Sequence, residues 1–181
     1  MFSPDKVVER LIILAGGPDK LRQSMDARLR EFNEAWHRDT DAMGRLLRAH
    51  LVVEHFMGKY LAFVNPRLAS LENARLSYLQ KLELLTDDSV PLQVIRPGLK
   101  RLNELRNKFA HRLNHRLTWE DVEDIATLPV FKAFREELAK PGVPSNRPIE
   151  IVDEFARLAS TWLQSGSNEE GTLWERAMAE D

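Results

Sequence analysis

The sequence predicts an all-α protein, an antiparallel bundle of helices. Three observations favour this fold class. Apolar residues recur at helical spacing along most of the 181 residues. No segment alternates apolar and polar residues strongly, as a half-buried strand would. The 8 glycines and 9 prolines gather at the boundaries between the periodic segments, where such residues end one helix and precede the next.

The first half of the chain predicts four helices. Residues 4–36 form two of them, divided by the Gly-Gly-Pro run at 16–18. Residues 39–41 supply caps for a long third helix that reaches about Val64. Its predicted apolar stripe consists of Met43, Leu47, Leu51, Met57, Leu61 and Val64. A fourth helix is expected from Ser70 through Leu85.

The second half is also helical, with breaks at prolines. A helix that begins near Ser89 should be interrupted at Pro97, which then opens a fresh helix running to about His115. Thr118 and Asp121 have the spacing of a helix cap with an acidic partner. The expected segments are 1–38, an N-terminal helical extension; 39–140, the helical bundle, with a bend at Pro129; 141–148, a linker; and 149–181, a C-terminal helix with an acidic tail.

Composition excludes several classes of protein. The chain has no cysteine, so disulfide scaffolds, Cys-ligated zinc, iron–sulfur clusters and thiol nucleophiles are excluded. No apolar run approaches the roughly 18–20 residues of a membrane-spanning helix, and no signal peptide is visible. We therefore expect a cytoplasmic protein that has no membrane partner and no cofactor.

Positive charge is concentrated in one predicted helix. Residues 96–116 hold seven Lys and Arg against one Glu, a net charge of +6, within a chain whose net charge is −2. Such a helix on an otherwise acidic protein is typical of a phosphate-binding surface. The alternative is a solvated helix face that pairs with the acidic residues at 120–124. Charge alone leaves both interpretations open.

One motif in this basic helix combines Arg, Asn and His. The string is Leu102-Asn103-Glu104-Leu105-Arg106-Asn107-Lys108-Phe109-Ala110-His111. Three other Arg–His pairs in the chain have a comparable spacing of four to six intervening residues. They are Arg30–His37, Arg45–His50 and Arg48–His55. Only Arg106 is followed directly by Asn and lies in an apolar Leu-x-x-Leu-Arg-Asn-x-Phe-Ala-His frame.

This string resembles the signature of the HEPN superfamily, small helical bundles that include many metal-independent ribonucleases of toxin–antitoxin and phage-defence systems. The resemblance implies that Arg106, Asn107 and His111 are catalytic and that cleavage leaves a 2′,3′-cyclic phosphate. It also implies RNA as substrate, a homodimer with two motifs facing a shared cleft, and an antitoxin protein as a partner.

A helical wheel places the motif residues relative to the core. With Leu102 at 0° and about 100° per residue, Leu105 and Phe109 point within about 60° of it. Arg106 falls at about 40°, on the shoulder of the core, and Asn107 and His111 at about 140° and 180°. A long Arg side chain can span the rise of about 7.5 Å to His111, so both groups can reach one phosphate. The alternative is that Arg106 pairs with a carboxylate such as Glu54 and that His111 is an ordinary exposed residue.

Further residues are candidates for supporting the site. Glu54, on the long third helix, is the candidate for a supporting role. It shares a helix face with His50, but two potential ligands on one helix are too few for a metal site. We expect no metal. The predicted nucleic-acid-binding residues are Lys100, Lys108, Arg112 and His115.

Three functions remain open from the sequence. The first is a dimeric endoribonuclease, which needs a titrating His beside an Arg. The second is a non-catalytic HEPN-like module that binds nucleic acid or a partner protein as a regulator. The third is a structural helical bundle in which the basic helix is incidental.

Overall fold

The computed structural model describes residues 4–36, 40–66, 74–85, 90–111 and 115–167. This part of the chain is all-α and contains no strand, as the sequence predicts. Its helices are α1 (Pro4–Ala15), α2 (Pro18–Trp36), α3 (Thr40–Val64), α4 (Tyr78–Leu84), α5 (Val90–His111), α6 (Trp119–Ala126), α7 (Pro129–Leu138) and α8 (Pro148–Ser165).

The chain divides into two compact units, residues 1–40 and 41–181. In the first unit, α1 and α2 contact each other. Gly16 and Gly17 have φ values of 79° and 124°, which glycine adopts without steric cost. The predicted division of residues 4–36 into two helices is confirmed.

The second unit is a helical bundle around one apolar core. Helix α8 packs against α5, α6 and α7, and α4 packs against α5. The large side chains that are almost wholly buried include Leu46, Met57, Leu99, Leu102, Leu105, Phe131 and Phe155. The C-terminal helix predicted at 149–163 thus supplies α8, a central element of this core.

The buried face of α3 differs from the predicted stripe. Met57 and Leu61 are buried as expected. The other predicted members, Met43, Leu47, Leu51 and Val64, are exposed. In their place the helix buries Ala42, Leu46, Ala49, His50, Val53 and Tyr60. Because α3 carries apolar residues on more than one face, periodicity alone does not identify the face that meets the core.

Helix α5 passes through Pro97 without interruption, so the predicted break there is wrong. Pro97 is exposed, whereas the adjacent Gly98 is buried against α8. A Cβ at Gly98 would overlap the ring of Phe155. The close contact that Gly98 allows, together with buried Leu99, stabilises the helix enough to offset the backbone hydrogen bond that a proline removes.

Two other helix boundaries differ from prediction. Helix α4 begins after Ser77, whose side chain and that of Gln80 form a capping box, so it is shorter than the helix expected from Ser70. Ser70 itself lies outside the described residues. At the bend predicted at Pro129 the chain forms two separate helices, α6 and α7, with Thr127 and Leu128 between them. The predicted cap of α6 is confirmed: Thr118 N–H donates to Asp121 Oδ2 at 3.0 Å.

Among the helices that the structure describes, none is long and apolar enough to cross a membrane.

Candidate functional site on helix α5

Helix α5 orients the motif residues as the helical wheel predicts. Leu102, Leu105 and Phe109 are buried in the core. Arg106 is partly buried at the edge of the core, and His111 is exposed at the last residue of the helix. The buried apolar side chains fix the rotation of α5 and hence the direction in which the polar residues project.

Arg106 has no carboxylate partner among the described residues. Its Nη1 donates to Oδ1 of the neighbouring Asn107 at 3.1 Å. Glu54, the carboxylate expected to compete for it, instead accepts from Lys81 Nζ at 2.8 Å. The guanidinium of Arg106 therefore keeps donors free for an external acceptor, and a guanidinium fork suits two oxygens of one phosphate.

A buried histidine connects α3, α4 and α5 next to this site. The side chain of His50 is 5% exposed. Its Nε2–H donates to Oδ1 of Asn103 at 3.2 Å, and its ring stacks on Tyr78 with centroids 4.3 Å apart. The Tyr78 hydroxyl in turn donates to the carbonyl of Leu99 at 3.1 Å. These contacts hold the part of α5 that precedes Arg106 against α3 and α4.

The electrostatics of this cluster favour a neutral imidazole. Burial lowers the pKa of His50, and the cations Arg106 and Lys81 lower it further. The hydrogen bond to Asn103 and the charge of Glu54 act in the opposite direction but do not prevail. Within the described residues His50 Nδ1 makes no hydrogen bond, and it lies 3.9 Å from Glu54 Oε2. Since Arg106 acts on His50 electrostatically, the cluster borders the motif.

Glu54, the predicted supporting residue, belongs to this cluster beside the motif and pairs with Lys81 rather than with Arg106. It is partly buried and held by Lys81. Burial, and secondly the charge of Glu54, raises the pKa of the Tyr78 hydroxyl above its ordinary value. Glu54 thus organises the surroundings of His50 and Tyr78.

A second polar cluster centres on Asp121 of α6, which lies against the C-terminal part of α5. The side chain of Asp121 is buried, and Lys108 Nζ donates to its Oδ1 at 2.6 Å. Oδ2 lies 2.8 Å from His115 Nε2 and also accepts from Thr118 N–H. Burial on its own would raise the pKa of Asp121, but the hydrogen bonds from Lys108 and Thr118 and the charge of His115 hold it at about 2.

The predicted nucleic-acid-binding residues thus fall into different environments. Lys108 and His115 bind Asp121. Lys100 is exposed, and Arg112 lies outside the described residues. Arg101 also turns toward α6, where it donates to the carbonyl of Asp121 at 3.0 Å. Part of the basic charge of α5 is therefore paired with the acidic helix α6, as the alternative interpretation of the charge pattern proposed.

The sequence analysis did not identify His50 and Asn103 as a pair. The spacing along α3 does indicate that His50 lies on the buried face, because His50 follows buried Leu46 by four residues and precedes buried Val53 by three. Its partner could not be identified, since that depends on how α3 and α5 pack together.

The described residues contain no group of three His, Asp or Glu side chains that could hold a metal ion. Helix α5 carries the Arg106 guanidinium, hydrogen-bonded to the Asn107 amide, and the exposed His111 imidazole five residues further on. This set can bind a phosphate and exchange a proton with it.

Comparisons with known proteins give no relative. No protein-family model, curated protein or solved structure matches the chain.

Proposed function

We propose that this protein is a HEPN-like, metal-independent endoribonuclease that acts in the cytoplasm as a toxin or phage-defence effector. Arg106, Asn107 and His111 form its catalytic set. The observation that carries the proposal is that Arg106, a partly buried residue at the edge of the core, has no carboxylate partner among the described residues. A charged group at the edge of a core is costly unless it is paired or used.

The reaction is cleavage of RNA by its own 2′-hydroxyl. His111 removes the proton of the 2′-OH, and the 2′-oxygen attacks the adjacent phosphorus. The bond from phosphorus to the 5′-oxygen breaks, and that oxygen takes up a proton. The products are a 2′,3′-cyclic phosphate and a 5′-hydroxyl. Arg106 donates to the phosphate oxygens, whose charge increases in the transition state, and Asn107 orients the guanidinium.

The active species is a homodimer in which two motifs face a shared cleft. In that cleft one His111 serves as base and the second as acid, because a single imidazole cannot do both at once. The exposed position of His111 at the end of α5 is compatible with this arrangement. A toxin of this kind requires an antitoxin protein, which we propose as a further partner.

The second candidate is a non-catalytic HEPN-like module that binds nucleic acid or a partner protein as a regulator. One observation favours it: within the described residues His111 makes no hydrogen bond or ion pair that would orient its ring. A catalytic base is usually held in place by a third group. Arg106 and Lys100 would suffice for binding a phosphate backbone.

Expression in cells separates the two functions. Overproduction of the parent protein should arrest growth, and His111→Ala at an equal protein level should relieve the arrest. Lys132→Ala, at an exposed residue of α7, serves as the expression-matched control and should still arrest growth. If the parent is harmless, or if His111→Ala is as toxic as the parent, the endoribonuclease is the wrong proposal.

A further inference from the structure

Helices α1 and α2 form a unit without a buried core. No described side chain of this helix pair is buried. Nine large apolar side chains are exposed: Val7, Val8, Leu11, Ile13, Leu14, Met25, Leu29, Phe32 and Trp36. The exposed fraction reaches 83% for Leu14 and 70% for Trp36. A helix pair of this size cannot stay folded in water on helix propensity alone, because most helical stability comes from packing of an apolar face.

Apart from Ile13, these residues lie on one face of each helix, which leaves eight side chains in two stripes. On α2, Met25, Leu29, Phe32 and Trp36 follow the i, i+4, i+7, i+11 spacing of a single stripe. The rings of Phe32 and Trp36 stack with centroids 5.6 Å apart. On α1, Leu11 and Leu14 continue the same kind of stripe toward the turn. Each helix of the pair therefore presents an apolar stripe rather than scattered residues.

The charge of the helix pair indicates what can cover that surface. Residues 4–36 hold six Lys and Arg and six Asp and Glu, so the unit has no net charge. A surface for RNA or for anionic lipid headgroups would need an excess of Lys and Arg. Two identical neutral units do not repel each other, and their mixed charges can pair around the apolar stripe.

The size of the stripe matches a stable interface between two copies. With the exposed fractions above, the eight side chains offer on the order of 800 Å² per copy, the area that each partner buries in a standard interface. Two helix pairs also complete a four-helix bundle, the smallest common arrangement that buries such stripes on all sides.

We propose that α1 and α2 are an association surface for a second copy of this chain, and that two helix pairs pack about a twofold axis into a four-helix bundle. This interface does not depend on RNA cleavage. It assigns a role to the N-terminal unit, which the proposed catalytic set leaves without one.

Light scattering coupled to gel filtration tests the interface in the full-length protein at tens of micromolar. The parent should be a dimer. The double variant Leu14→Lys/Leu29→Glu keeps the net charge and puts good helix formers at both positions. It should elute as a monomer. The matched control, Leu138→Lys/Val143→Glu, changes two exposed apolar residues of the other unit and should remain a dimer.

A second measurement uses the absence of cysteine in the chain. Met25→Cys, near the middle of α2, should give a disulfide-linked dimer on mild oxidation, whereas Val143→Cys should not. A monomeric parent would overturn the proposal, as would a dimer that survives the α1–α2 double variant. A dimeric protein that fails to cleave RNA would refute the proposed function but leave this interface standing.

Discussion

Nε2 of His50 donates to Oδ1 of Asn103 at 3.2 Å, while Nδ1 of the same ring has no hydrogen-bond partner in the part of the chain that the structure describes. The bond joins α3 to α5 three residues before Arg106, so it links the core to the proposed site. Within the described residues, the bond to Asn103 is thus the one hydrogen bond of the buried His50 ring, so its loss should have a measurable effect on stability.

Asn103→Ala should destabilise the protein by about 1–3 kcal/mol, because it leaves both ring nitrogens of buried His50 without a partner. Urea unfolding at neutral pH measures the change. The control Lys100→Ala, at an exposed position of the same helix, should stay within about 0.5 kcal/mol of the parent. Equal stability of the Asn103 variant and the control would show that the bond contributes nothing.

Asp121 should make stability depend on pH in the acid range. Its pKa is about 2 in the folded protein, below the ordinary 3.8, so its contribution is present above about pH 4 and is lost as pH falls through about 2. Asp121→Asn should therefore cost about 2 kcal/mol at pH 7 and roughly half of that at pH 3.

Urea titrations of the parent and of Asp121→Asn at several pH values measure this difference. Asp124→Asn is the matched control, since its side chain is 75% exposed, and it should show little change at any pH. If the difference in unfolding free energy between the parent and Asp121→Asn stayed constant from pH 7 to pH 3, the low pKa of Asp121 would be contradicted.

Gly98→Ala should destabilise the protein although alanine favours helices. The added Cβ overlaps the ring of Phe155, and overpacking of this kind costs about 1–3 kcal/mol. Gly44→Ala, in α3 with no atom near the new Cβ, should instead stabilise by up to about 1 kcal/mol. Thermal unfolding should thus shift in opposite directions for the two variants. A shift in the same direction would show that α5 moves away from α8 at little cost.

Substitutions at His111 and Arg106 should both slow cleavage, for different physical reasons. His111→Ala removes the proton-transfer group and should slow cleavage by about 10²–10⁴-fold, with folding and RNA binding retained. Arg106→Lys keeps the charge but loses the fork, so cleavage should fall sharply as well. Single-turnover cleavage and equilibrium RNA binding separate the two effects. Parent-like cleavage by both variants would place the chemistry elsewhere.

RNA cleavage should persist in excess EDTA, because the proposed reaction uses only the 2′-OH, His111, Arg106 and Asn107. The assay compares rates in EDTA, Mg²⁺ and Mn²⁺ at constant ionic strength, since phosphate contacts weaken with salt. An absolute requirement for a divalent ion would contradict the assignment of these residues.

Much of the fold is predictable from sequence because single elements are determined locally. The turn at Gly16 and Gly17 and the cap formed by Thr118 and Asp121 depend on neighbouring residues only. The stripe of α3 and the continuity of α5 through Pro97 depend on what packs against them. Gly98 leaves room for the ring of Phe155, a residue distant in sequence. The residues next to Pro97 do not by themselves predict that contact.

In the proposed site, too, some features follow from the local sequence and others depend on tertiary contacts. The orientations of Arg106, Asn107 and His111 follow from the rotation of a single helix, and the described residues agree with them. The pairing of Lys81 with Glu54, the carboxylate that was the expected alternative partner of Arg106, joins two helices. So does the binding of Lys108 to Asp121. Such contacts are decided by tertiary packing, which spacing along the sequence does not encode.

Cleavage of matched oligonucleotides by the purified protein tests the central claim most directly. One substrate is RNA, and the other carries a single 2′-deoxy sugar at the scissile position. The RNA should be cut to a 2′,3′-cyclic phosphate and a 5′-hydroxyl, and the deoxy substrate should bind equally well but stay intact, because it lacks the nucleophile. Binding of RNA without cleavage, or cleavage of the deoxy substrate at the same bond, would contradict the proposed function.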